Sequence, residues 1–410
     1  MEKLRVNEQR LWLTHVEMGK IGALPNGGCC RLALSDEDKM GRDLFIRWSR
    51  EAGCEIRIDA AGNIFARRPG LDNSLPAVAT GSHLDTQPHA GLYDGIYGVL
   101  AGLEVFRTLN DAGIETQAPL ENIVWTNEEC VRFSPPTSGS MVFTEQLGIA
   151  ELHQAKTTDG TTVGQDLQRL GYLGDHITMA SHKIGCFIEA HIEQGPILEQ
   201  QNKTIGAVTG IQGARMFEVR VTGQDNHAGT TPMPLRRDAL TGATRMVLWL
   251  NELVADQGDD IRLTIGRFNV SPNSASTVPG AVTFQIDLRH PQMTVLNALE
   301  DRIRMGLAEK ARQAGLGLTI KDICAFAPVA FDGALVAMIE AQAVASGYSV
   351  MRMLSGAAHD AGNLAALVPT AMIFVPCEKG ISHNEAERAT PGDLAAGANV
   401  LLYTMLSRAG

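Results

Sequence analysis

The feature that most constrains this 410-residue sequence is a complete β-α-β-β-α-β run set inside a longer chain of alternating strands and helices. Apolar alternation predicts strands over 217–221, 262–269, 282–288 and 318–324, and helical spacing predicts helices over 236–254 and 295–314. That order is the split βαβ pattern of ferredoxin-like domains. On either side the rhythm differs. Short β-rich runs are predicted at 77–80, 122–126, 184–191 and 371–375, with a helix over 99–109, which implies a parallel or mixed sheet covered by helices. The first fifty residues read as helical, with Ser35 and Asp38 as a capping box ahead of Leu44, Phe45 and Trp48. Residues 55–59 and 63–67 read as a hairpin around Ala60-Ala61-Gly62. The expected organisation is a discontinuous α/β domain, 1–211 and 327–410, with an α+β unit, 212–326, inserted into it.

Charge narrows the partners. There are 35 Lys and Arg against 46 Asp and Glu, a formal charge of −11, so no basic stripe for nucleic acid and no polybasic membrane surface is expected. No apolar run approaches the roughly 18 residues that span a bilayer. The charged start Met1-Glu2-Lys3-Leu4-Arg5 lacks the apolar core of a leader, and the seven cysteines form no Cys-x-x-Cys pair. A cytoplasmic enzyme is the expectation.

Five short pieces carry chemistry. His83 and Asp85 lie in Gly81-Ser82-His83-Leu84-Asp85-Thr86, Asp94 in Tyr93-Asp94-Gly95, and Glu128 and Glu129 follow the strand that ends at Thr126. His191 lies in Glu189-Ala190-His191-Ile192-Glu193-Gln194, and His383 in Ile381-Ser382-His383-Asn384-Glu385. Taken singly, each reads as a solvated loop or a hydrogen-bonded structural residue. All five stand at C-terminal ends of predicted strands in one α/β unit, the edge where such sheets gather their ligands. Imidazoles and carboxylates without thiolate suit zinc, manganese, cobalt or nickel rather than calcium or an iron–sulfur cluster. Cys130, beside the acid pair, is not needed as ligand or nucleophile.

These motifs, together with Asn226-His227-Ala228-Gly229-Thr230-Thr231-Pro232-Met233, Asp287-Leu288-Arg289 and Ser355-Gly356-Ala357-Ala358-His359-Asp360, resemble the amidase/hydantoinase/carbamoylase group, which belongs to the dinuclear aminoacylase and carboxypeptidase superfamily. The resemblance runs in order over nearly the whole chain. It implies a zinc-exopeptidase-like α/β catalytic domain with a mixed sheet, and a ferredoxin-like lid that also forms a homodimer. It further implies two divalent metal ions per subunit, zinc ahead of manganese, cobalt or nickel. His83, Asp94 and His191 would hold one ion, and Asp94, Glu129 and His383 the other. Glu128 would be the general base, and Asp85 would orient His83. Gln194, Arg215, His227, Asn273, Arg289 and His359 match positions that contact substrate, with His227 and Asn273 serving the neighbouring subunit. Cys130-Val131, where the group has Gly-Ala, and Ala358, where it often has Gly, depart from the pattern and bear on pocket shape.

The reaction implied is cleavage of the ureido C–N bond of an N-carbamoyl-L-amino acid or N-carbamoyl-β-alanine, of the N-carbamoyl-L-amino-acid hydrolase or β-ureidopropionase type. Allantoate hydrolysis is the alternative. A dipeptidase or aminoacylase on the same core is disfavoured by His191, where peptidases usually carry a carboxylate. A non-catalytic metal-binding relative is disfavoured by the complete set with Glu128 and Asp85.

Overall fold

The computed structural model describes residues 4–258 and 260–410, so the charged start at 1–3 lies outside the described residues. The chain divides into two compact units, one running to Gly210 and resuming at Ala330–Gly410, the other Ile211–Val329. No helix among the described residues is long and apolar enough to cross a membrane.

The first unit is built on a mixed sheet whose strands lie in the order Glu55–Ile58, Ile64–Arg68, Leu120–Trp125, Ala77–His83, Ile184–Ile192, Thr370–Val375, Ile205–Ile211. Its four middle strands, from Leu120–Trp125 to Thr370–Val375, are mutually parallel, and the outer pairings are antiparallel. Covered on both faces, strands Ala77–His83, Leu120–Trp125 and Thr370–Val375 are buried at every position, including the polar Thr80, Ser82, Glu121 and Asn122, rather than at alternate ones. From Ala77–His83 the chain crosses through helix Ile96–Asp111 to Leu120–Trp125 on one side, while Ile184–Ile192 pairs on the other. This reversal of direction opens a crevice beyond the C-terminal ends of Ala77–His83 and Ile184–Ile192. Helix Ile96–Asp111 is buried almost all round, packed between the sheet and helix Pro391–Ala409.

The start of the chain is less helical than expected. Helices Glu8–Met18 and Asp36–Glu51 are separated by turns, with Leu34 in the left-handed region (φ 58°). Ser35 caps the second helix by accepting the Asp38 N–H, but Asp38 reaches past Ser35 to the Leu34 N–H at 2.8 Å and to Arg42 at 2.8 Å. The reciprocal half of the capping box is absent because the buried Arg42 guanidinium claims that carboxylate.

The second unit is a four-stranded antiparallel sheet in the order Gly317–Phe326, Gly213–Thr222, Ala281–His290, Arg262–Ser271, covered by helices Ala239–Val254 and Met293–Gln313. Burial alternates strictly along Ala281–His290, so Val282, Phe284, Ile286 and Leu288 enter the core while Asp287 and Arg289 stand on the opposite face. The first helix begins at Ala239 rather than 236 because Asp238 caps it, accepting the Thr241 N–H at 3.0 Å.

His15, buried on helix Glu8–Met18 against Tyr93 and Tyr97, donates from Nδ1 to the Leu11 carbonyl and has no partner at Nε2. Burial lowers its pKa to about 4, so the folded protein holds it neutral while the unfolded chain protonates near 6.5. The unfolded state therefore binds more protons between those values, and stability falls as pH drops through the window, by up to about 3 kcal/mol. His15→Leu should flatten this part of the stability profile; urea titrations from pH 7 to 4 that show equal slopes for variant and parent would contradict it.

Candidate metal centre

The crevice is lined by side chains from the ends of the parallel strands. His83 closes Ala77–His83 and His191 lies at the end of Ile184–Ile192; both are buried. Each donates Nδ1–H to a backbone carbonyl, His83 to Asp85 at 2.8 Å and His191 to Ile192 at 2.9 Å. A carbonyl can only accept, so each Nδ1 carries a proton and Nε2, turned into the crevice, is the atom left to bind an ion or, in its absence, a proton.

Asp94 meets those Nε2 atoms from the loop before helix Ile96–Asp111. Its Oδ1 lies 3.2 Å from His191 Nε2 and 3.9 Å from His83 Nε2, while Oδ2 lies 3.1 Å from His383 Nε2. One carboxylate thus faces two histidines with one oxygen and a third with the other. Gly95, next in the chain, has φ 70°, and a Cβ there would fall 2.3 Å from the His83 ring. No other residue leaves room for His83 and Asp94 together.

Asn127 (φ 57°) and Cys130 (φ 55°) turn the chain on either side of the acid pair. Glu128 Oε2 points toward His83 Nε2 at 3.8 Å, and Glu129 Oε2 toward His383 at 3.5 Å. Asp85 accepts the backbone N–H of Glu128 at 3.4 Å and of Glu129 at 3.2 Å. Its carboxylate is 4.0 Å from His83 Nδ1, so it orients that ring through its carbonyl and gives its side chain to the acid pair.

The electrostatics describe a site short of positive charge. Burial, with repulsion from Glu129, holds the Glu128 carboxyl well above the usual range. Burial and the Asp94 charge push Glu129 up to about 8, and burial pushes Asp85 to about 7. Burial opposes a charged His191, yet its hydrogen bond to Asp94 lifts it to about 9; the same carboxylate lifts His383 to about 9. Burial leaves His83 neutral, at about 4. Glu129 Oε1 is buried with no hydrogen-bond partner. Donor atoms of His83, Asp94 and His191 lie within 4.8 Å of one another, as do those of Asp94, Glu129 and His383. Nitrogen and oxygen donors in threes, among buried acids whose pKa values rise for want of positive charge, fit divalent cations.

Residues 79–407 match the model of peptidase family M20/M25/M40. The chain belongs to this family. A curated N-carbamoyl-L-amino-acid amidohydrolase from Rhizobium meliloti is 41% identical, the match covering 100% of this chain and 98% of the relative. One from Geobacillus stearothermophilus is 34% identical over 98% of each. A solved hydantoinase/carbamoylase family amidase from Burkholderia multivorans superimposes with a TM-score of 0.94 at 50% identity, covering 99% of this chain and 98% of that one. Members of the M20 family are metal-dependent, in keeping with the donor groups described above.

The remaining expected site residues of this M20 chain divide between the units. Gln194 (φ 57°) donates to Asp94 Oδ2 at 2.9 Å, and His359 is buried with its ring 4.5 Å from that of His191. His359 is packed behind a ligand-type histidine and bonded to Ser355 Oγ at 2.9 Å. Arg215, His227, Asn273 and Arg289 belong to the second unit. Arg215 pairs in register with Leu288 and Arg289 with Ala214, so the two arginines lie on opposite faces of the sheet. Arg215 faces the helices and is bonded to Glu300 and Asn297. Arg289 lies on the other face, its fork held by Asp287 at 3.0 and 2.9 Å. His227 Nδ1 accepts the N–H groups of Gly229 and Thr230, which leaves Nε2 as its proton-bearing atom. Asn273 (φ 58°) is exposed in the loop after Arg262–Ser271.

Sequence reasoning missed Gln87, whose amide donates to Glu129 Oε2 at 2.7 Å, and the buried Glu189, which accepts from Ser82 Oγ at 2.7 Å and the Ala361 N–H at 3.0 Å. The position of Glu189, two residues before His191 on one strand face, was the available signal for it.

Gly95→Ala should displace His83 and reduce retained metal at least tenfold, since a left-handed backbone and the clash each cost about 1–3 kcal/mol. Metal content after dialysis measures it; a full complement would refute the packing argument.

Proposed function

We propose that this chain is a metal-dependent amidohydrolase that cleaves the ureido C–N bond of an N-carbamoyl-L-amino acid or N-carbamoyl-β-alanine. One water is consumed, and amino acid, ammonia and carbon dioxide are released. The observation that carries this reading is the two-sided Asp94 carboxylate with Glu128 beside it, in a chain related end to end to N-carbamoyl-L-amino-acid amidohydrolases.

His83, Asp94 and His191 would hold one ion and Asp94, Glu129 and His383 a second, Asp94 bridging. Two dications there, zinc ahead of manganese, cobalt or nickel, would supply Lewis-acid polarisation of the ureido carbonyl and would acidify water. Glu128 takes the proton of the attacking water and returns it to the leaving nitrogen. Asp85 holds the backbone of the acid pair and Gln87 holds the Glu129 carboxylate, so the base is fixed from behind. Gln194, tethered to Asp94, contacts the substrate. His227 offers its Nε2–H to the developing oxyanion, with Asn273 as a second donor. Arg289, oriented by Asp287, pairs with the substrate carboxylate. His359 backs His191 rather than meeting substrate directly, and Arg215 shapes the second unit.

The second unit serves as a ferredoxin-like lid and as the contact of a cytoplasmic homodimer, with His227 and Asn273 completing the neighbouring subunit's site. Its edge strand Arg262–Ser271 and the exposed Leu248 and Phe268 support that role.

Ammonia release from N-carbamoyl-L-amino acids, N-carbamoyl-β-alanine and allantoate tests the reading. Turnover of the first two should exceed that of allantoate; turnover of dipeptides or N-acetyl-amino acids instead would overturn it. Glu128→Gln should keep its metal and lose about 10²–10⁴-fold in kcat; a near-normal rate removes Glu128 as the base. Arg289→Met should raise KM about 10–100-fold with a smaller change in kcat, as for loss of a charged hydrogen-bonded pair, and an unchanged KM would contradict the assignment.

A further inference from the structure

Glu387 is a buried carboxylate, 2% exposed, outside the donor groups described above. Its Oε1 accepts the backbone N–H groups of Tyr93 at 3.0 Å and Asp94 at 3.1 Å, and its Oε2 accepts the Ser382 hydroxyl at 2.8 Å. Both oxygens are therefore occupied by hydrogen bonds. The side chain joins the loop of Asp94 to the loop of His383 across 293 positions of sequence. It lies so close to the first loop that a Cβ on Gly91 would fall 2.3 Å from its Oε1.

His383 needs such help. His83 and His191 are buried and locked through Nδ1 to backbone carbonyls. The His383 side chain is 50% exposed, its backbone is left-handed (φ 53°), and its contacts with Asp94, Glu129 and Gln194 all run through Nε2. Its ring is placed by the loop that carries it, and that loop is tied down by Ser382 on Glu387.

We propose that Glu387 is the positioning residue of the second ion site: by strapping the Asp94 loop to Ser382-His383 it brings the half-exposed His383 within reach of Asp94 and Glu129. The inference rests on the two-ion reading above. Glu387 touches neither His83 nor His191, which are held by backbone carbonyls, so although Asp94 serves both ions the loss of Glu387 should be felt chiefly at the His383 ion.

Metal-stripped full-length protein titrated with Co2+, with ions counted by calorimetry and atomic emission, tests this. The parent should bind two ions. Glu387→Ala should keep one and weaken the other about 10–100-fold, matching His383→Ala in its count. Glu387→Gln keeps an acceptor for the Tyr93 and Asp94 amides and a donor for Ser382 Oγ, and should restore the second ion to within about threefold of the parent. Should the alanine variant not fold, Ser382→Ala removes one arm of the strap and should weaken the second ion alone. Two ions bound by Glu387→Ala as tightly as by the parent would overturn the assignment, and so would equal weakening of both ions or failure of the glutamine variant to restore the second. A parent that binds fewer than two ions would instead overturn the two-ion reading itself.

Discussion

A carboxylate buried between opposed imidazoles is the constraint around which the first unit is organised. Asp94 sits with one oxygen toward His191 and the other toward His383. Out of water, an anion in that position is tolerable only with positive charge on both sides, because the desolvation cost of a buried ion is several kcal/mol. Protons on His191 and His383 supply it in the bare protein, and cations supply it better. The neighbouring design follows. Gly95 makes room, Asp85 and Gln87 pin the acid pair, and Gln194 donates to Asp94 Oδ2.

Parallel pairing of the middle strands is what delivers these groups to one place. His83, the Glu128-Glu129 pair and His191 each stand at or just past the C-terminal end of a different parallel strand, and His383 follows the fourth. Antiparallel neighbours would have sent alternate groups to opposite edges. The direction reversal between Ala77–His83 and Ile184–Ile192 keeps the crevice between His83 and His191 clear of crossover chain.

Much of this was legible in the residues, and the failures have a common physical cause. Strand-end motifs name their own groups: His83, Asp94, Glu128, Glu129, His191 and His383 all lie in short pieces whose flanks signal a strand or turn. The predicted strands over 217–221 and 282–288 fall within observed strands because their apolar alternation reports burial directly. Supports are harder to read. Gln87 carries no local signal, and Glu189 only its spacing from His191, because the partners they touch lie 42 and 107 positions away. The face of a sheet residue is likewise set by register with another strand, which is how Arg215 came to lie behind the sheet rather than beside Arg289. The helical reading of the first fifty residues failed between 19 and 34, where turns let Arg31 reach the carbonyls of Ile21 and Leu84.

The strand Thr370–Val375 lies between Ile184–Ile192 and Ile205–Ile211, although those two are near neighbours in sequence. Until the last part of the chain has been made, the sheet has an internal gap and an unpaired edge on either side of it. The second unit, by contrast, has all its strands within Ile211–Val329 and can close on its own contacts. In vectorial synthesis the insert therefore completes first, and the host sheet waits for a segment that comes after it. His383 arrives with that same segment, so chemical competence and mechanical closure of the sheet are reached in one event, and a nascent chain has neither.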